Sequence, residues 1–112
     1  MPDLSFRVEM AGDMPVVVTP GDIDITNVAA FRTALLEAAR RGRTLVVDMS
    51  RTEFCDTAGI HALVAAHKQA ADDGREVRLV VTSASVLRIF AITGFDQVIS
   101  RFGRLDQAVA AP

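Results

Sequence analysis

Val46-Val47-Asp48-Met49-Ser50-Arg51-Thr52-Glu53-Phe54-Cys55-Asp56-Thr57-Ala58-Gly59-Ile60 decides how this chain is read. It begins inside a near-continuous apolar run, Thr44 to Met49, of the kind found in a central strand buried on both faces. A short polar link follows. Asp56-Thr57-Ala58-Gly59 then opens a segment in which Ile60, Leu63, Val64, His67 and Ala71 recur at helical spacing, and Asp73-Gly74 ends it. Asp56 and Thr57 are both preferred helix caps. A helix start exposes free N–H groups that stabilise anions and side-chain oxygens. Ala58 and Gly59 are small, so another protein could approach the Thr57 hydroxyl closely. A phosphate on Thr57 would add about −1.5 to −2 charges. It would stand beside Asp56, and beside Asp22 and Asp24 if the Pro20–Asp24 loop lies alongside. That would change what the surface binds more readily than it would unfold the domain.

Outward from this stretch, helices and strands alternate. Leu4, Phe6 and Val8 alternate with polar residues as in a half-buried strand, and Ala11-Gly12-Asp13 reads as a hairpin turn into a second strand, Met14 to Thr19. Pro20-Gly21-Asp22 ends that strand, and Ile23-Asp24-Ile25 continues extended. Thr26 or Asn27 is expected to cap a helix that buries Val28, Phe31, Leu35 and Ala38, with Arg40 and Arg41 in its last turn and Gly42 as its stop. Val77 to Thr82 is a further buried strand. A short helix capped by Ser83 or Ser85 turns Val86, Ile89 and Phe90 inward and closes at Thr93-Gly94. Val98 to Phe102 offers a last strand, and Leu105 to Ala110 a last helix or tail. The expected fold is α/β, a single domain over residues 1–112 with a mixed, mostly parallel sheet, an antiparallel N-terminal strand and covering helices.

Composition narrows the function classes. A chain of 112 residues, half of them apolar, can bury a core without a metal or disulfide staple. The single cysteine, Cys55, rules out an internal disulfide and suits a reducing cytoplasm. A net charge of −2 with no basic block argues against nucleic acid, and no base-stacking platform is visible. The start of the chain has no secretion-signal pattern, and no apolar run is long enough to insert in a membrane, so a cytoplasmic location is expected. No motif asks for a cofactor or a metal. His61 and His67 fall on different helix faces; His67 suits a packing role, and His61 a surface near Thr57. Asp56 disfavours the thiolate of Cys55, which reads as a small, partly buried strand-end residue. A receiver-like aspartyl-phosphate site would need a lysine after a later strand, but the only lysine, Lys68, lies mid-helix. Ala62, Ala65, Ala66 and Ala70 lie off the main apolar stripe, where small residues would let a partner helix come close.

Three blocks, in order, resemble the STAS domain family, and within it the anti-sigma factor antagonists. Gly21-Asp22-Ile23-Asp24 resembles the family's Gly-Glu-Leu-Asp segment, and Val46–Ser50 with Phe54–Ile60 resembles its strand, loop and Asp-Ser-Ser-Gly-Leu element. Ser83 to Phe95 resembles its later helix and Gly-Leu end. The resemblance implies a non-enzymatic binding protein with Thr57 as phosphoacceptor. Unphosphorylated, it would sequester an anti-sigma factor that is also a serine/threonine kinase of the histidine-kinase-like ATPase fold, freeing a sigma factor. A metal-dependent serine/threonine phosphatase would reset it. The expected contact surface is Gly21, Asp22, Asp24, Asp56, Thr57, Ala58, Gly59, Ile60 and His61. Thr57 replaces the commoner serine, and Ala58 removes a second hydroxyl. The alternative is a constitutive STAS scaffold or a lipid- or anion-transport subunit in which Thr57 is only a cap.

Overall fold

A computed structural model describes residues 6–112. The expected Leu4 of the first strand lies outside them. Strand β1 (Arg7–Ala11) turns at Gly12-Asp13 into β2 (Met14–Val18), and the two pair antiparallel. β2 pairs in parallel with β4 (Thr44–Met49), β4 with β6 (Glu76–Val81), and β6 with β7 (Ser100–Phe102), giving the order β1-β2-β4-β6-β7. β3 (Asp22–Ile23) and β5 (Phe54–Cys55) form a separate two-stranded parallel sheet. The mixed α/β fold with an antiparallel N-terminal strand is as expected. β5 is not: its Phe-Cys pair sits inside what reads as a polar link.

Helices α1 (Val28–Ala39), α2 (Thr57–Asp72) and α3 (Ala84–Thr93) cover one face of the sheet. Val28, Phe31, Leu35 and Ala38 of α1 are buried there, as their spacing demands. Phe6 stacks on Phe31, and Phe90 meets Phe95 edge-on. α3 stops at Gly94, whose φ of +77° is costly for any residue with a Cβ. A 3₁₀ turn (Phe95–Gln97) follows, which delays the last strand to Ser100 and leaves Val98 exposed. Helix α1 ends at Ala39, so Arg40 and Arg41 lie just past its last turn rather than within it.

The opposite face carries one short helix, α4 (Leu105–Ala110), over Val16, Val18, Val46 and Val80. Six residues cannot hold a helix in water unaided. A buried arginine on β6 supports this one. Arg78 Nη1 donates to the Ala108 and Ala111 carbonyls, both at 2.8 Å, and Nη2 to the Pro112 carbonyl at 3.0 Å. Its Nε donates to Glu76 at 2.8 Å. The guanidinium therefore satisfies carbonyls at the helix end that would otherwise lack donors.

Candidate functional site

The segment after β4 is positioned by a buried pair of threonines. Thr19 at the end of β2 and Thr52 past β4 bring their hydroxyl oxygens to 2.6 Å. Each hydroxyl has one proton, so one of the pair donates to the other and the acceptor donates outward, Thr52 to the Pro20 carbonyl at 2.5 Å or Thr19 to the Asp48 carbonyl at 3.2 Å. Both side chains are sealed from solvent. Glu53 N–H then donates to the Gly21 carbonyl at 2.8 Å, and Asp56 N–H to that of Ile23 at 3.0 Å. The Gly21–Asp24 loop therefore runs beside the Asp56-Thr57 turn. In register, Asp22 faces Phe54 and Ile23 faces Cys55, so Asp24 and Asp56 each emerge one residue past a paired position.

Asp56 is the cap of α2. Its Oδ1 accepts from Ala58 N–H at 3.0 Å and Gly59 N–H at 3.3 Å. Thr57 is the first helical residue, exposed, and its hydroxyl takes no hydrogen bond among the described residues. Glycine at position 59 has a steric cause. A Cβ there would come within 2.6 Å of Cys55 Sγ and 2.9 Å of Ile23 Cγ2, so only glycine lets the first turn of α2 sit on the β3–β5 pair. Cys55 beneath it is fully buried, more so than expected, and burial together with the Asp56 charge pushes its thiol up to about 12.

On the other side of the turn, Asp24 Oδ1 accepts from both the backbone N–H and the hydroxyl of Thr26. The hydroxyl bond is the larger influence holding this carboxylate below its ordinary range. Asn27 stands at the cap position of α1 but does not cap it: its Oδ1 accepts from Asp24 N–H at 2.9 Å, and its amide donates to the Asp22 carbonyl at 2.8 Å. The side chain braces the loop instead.

Of the nine expected contact residues, Gly21, Asp22, Thr57 and His61 are exposed, and Asp24, Asp56 and Ala58 are half-buried. Gly59 and Ile60 are buried and support the turn from beneath. His61 lies on the rim of an open groove of about 510 Å³ between α2 and the Thr93–Val98 segment. His67, also lining it, packs edge-on against Phe95, the role its apolar position suggests. Two residues escaped the sequence reading: Ile25 and Phe54 flank the turn, 74% and 47% exposed. An apolar residue in a polar loop is the signal that marks them. The alanines of α2 are corrected too. Ala62 and Ala70 are buried in the core, Ala62, Ala65, Ala66 and Ala70 all line a cleft shared with α1, and Ala71 is exposed. The space beside them faces the chain's own α1.

Residues 5–110 match the family described as STAS domain. The chain is 27% identical over 79 residues to the anti-sigma-B factor antagonist of Bacillus subtilis, spanning 70% of this chain and 72% of that protein. Its fold matches the crystal structure of an anti-sigma factor antagonist from Mycobacterium paratuberculosis with a TM-score of 0.84 and 26% identity, covering 93% of this chain and 89% of that one. It also matches SpoIIAA of Bacillus in its phosphorylated form, with a TM-score of 0.72 and 18% identity over 93% and 96% of the two chains. The sheet order, the capped turn after β4 and the family match agree: the chain belongs to the STAS domain family.

Proposed function

We propose that this protein is a binding module switched by phosphorylation at Thr57. When unphosphorylated it holds a cytoplasmic anti-sigma factor that is also a serine/threonine kinase of the histidine-kinase-like ATPase fold, and so frees a sigma factor. One observation carries the reading: Asp56 does the capping, which leaves the Thr57 hydroxyl exposed and uncommitted at the start of α2. A hydroxyl engaged in a cap would have to leave its bonds to accept a phosphoryl group; this one does not. Ile25 and Phe54 offer exposed apolar surface on the two adjoining segments, and Asp22, Asp24 and Asp56 add negative charge to them. A partner matched to a neutral hydroxyl among these acids loses the fit when about two further negative charges arrive. The module is not itself a catalyst. A metal-dependent serine/threonine phosphatase would reverse the modification.

The test is intact-mass analysis of the protein from its native cells, with fragmentation to place any modification. One phosphate on Thr57, and loss of partner binding in the same fraction, is the expected result. Protein that stays unmodified across growth and stress conditions, or a phosphate that still enters Thr57→Ala, overturns it.

A further inference from the structure

The helix-covered side of the sheet is not closed everywhere. Where β4 and β6 begin, at the far end of α2 from Thr57, α1 and α2 part around a cleft of about 240 Å³. Its walls are apolar: Leu35 from α1, Leu45 and Val77 from the strands, and Ala62, Ala66 and Ala70 from α2. Those alanines are spaced at i, i+4 and i+8, one helix face, and none has a side chain long enough to fill the space opposite α1. Leu36 stands at the mouth, 61% exposed.

The rim is charged, and its charges differ in commitment. Glu76 is held by Arg78 at 2.8 Å, and Asp73 accepts from the Gln69 amide at 3.2 Å. Arg75 donates to the Ala39 carbonyl, strapping the end of α1 to the start of β6. The guanidinium groups of Arg32 and Arg43 have no ion-pair or hydrogen-bond partner among the described residues. A neutral amide leaves Asp73 its charge, yet Arg32, Arg43 and Arg75 outweigh it, so the mouth is net positive above an apolar floor that offers water few of the two to four polar partners it needs. In size the cleft falls between the roughly 150 Å³ that accepts a benzene ring and the roughly 300 Å³ where drug-sized pockets begin.

We infer that this cleft binds a medium-chain aliphatic carboxylate, with its chain along the alanine face of α2 and its carboxylate between Arg32 and Arg43. The site is independent of the Thr57 switch.

The experiment titrates the full, isotopically labelled chain with octanoate, hexanoate, octanol and octylammonium at fixed ionic strength, following backbone amides by NMR. Saturable shifts for octanoate are expected around Leu35–Leu45 and Ala62–Val77, with octanol about tenfold weaker, and about fourfold lost for each methylene removed from the acid. The double variant Arg32→Gln, Arg43→Gln should bring octanoate down to the level of octanol while leaving octanol binding unchanged. Ala66→Leu should abolish both; if that variant does not fold, the arginine pair carries the test alone. Equal binding of octanol and octanoate, preference for octylammonium, or shifts that do not saturate at millimolar ligand would overturn the inference. So would dilution moving the same amides together with a fall in measured mass, which would give the cleft to a second copy of the chain.

Discussion

Helix α2 joins two regions built on opposite principles. At its start, polar contacts fix the backbone: the Thr19–Thr52 pair, the shared Gly21 and Ile23 carbonyls, and the Asp56 cap. Along its later turns, alanines meet α1 and leave space. The first arrangement holds an exposed side chain in a defined place but has no room to spare. The second has room and few fixed positions. Stitching by hydrogen bonds yields precision, whereas packing with small residues yields capacity.

The largest expected effect concerns the thiol under the first region. With its pKa raised from 9.0 to about 12, the folded-state thiolate fraction of Cys55 falls about thousandfold at any pH below 9. Alkylation near pH 8 should therefore be at least about that much slower in folded than in denatured protein. Comparable rates would show that the turn opens freely.

The same helix then allows a direct contrast. Gly59→Ala drives a Cβ into Cys55 and Ile23 and should cost about 1–3 kcal/mol in denaturant titrations. Ala66→Leu, which enters the cleft, should add about 0.5–2 kcal/mol of stability. Equal effects of the two would erase the distinction between the regions.

A smaller difference separates neighbours. Asp56→Ala removes the cap and should cost about 0.5–2 kcal/mol, whereas Thr57→Ala should stay within about 0.5 kcal/mol. A reversed order in thermal melts would return the cap to Thr57.

The mildest effect is acid-dependent. Asp24 titrates below its ordinary value because it accepts from Thr26. Its contribution to stability is thus complete above the unfolded value of about 3.8 and fades as pH falls from there through the lower folded value. Thr26→Val should return the Asp24 carboxylate, followed by NMR, toward 3.8; an unchanged midpoint would remove the hydroxyl as cause.

Much of this was legible in the sequence because periodicity and end signals coincide. Val28, Phe31, Leu35 and Ala38 face inward as spaced, and the Leu105–Ala110 helix falls at its expected bounds. The Asp56–Gly59 turn was legible from residue types alone, but not which side chain caps. Asp and Thr are both preferred there, and the choice rests on which residue is the last non-helical one. Thr19, Thr52 and Arg78 were not legible. Polar residues in loops and strands read as exposed, and their burial depends on partners 29 to 34 positions away. β5 escaped because two residues carry no period, and the cleft because alanines read as good helix formers whether or not space lies opposite them.

The division of labour at the head of α2 bears on how this protein varies over generations. Because residue 56 anchors the helix, residue 57 is released from any duty in folding. Serine, threonine, alanine or glutamate can succeed one another there with the scaffold intact. Under the switch proposed above, a single substitution at residue 57 would gain, retune or lose the regulation without a compensating change elsewhere in the domain.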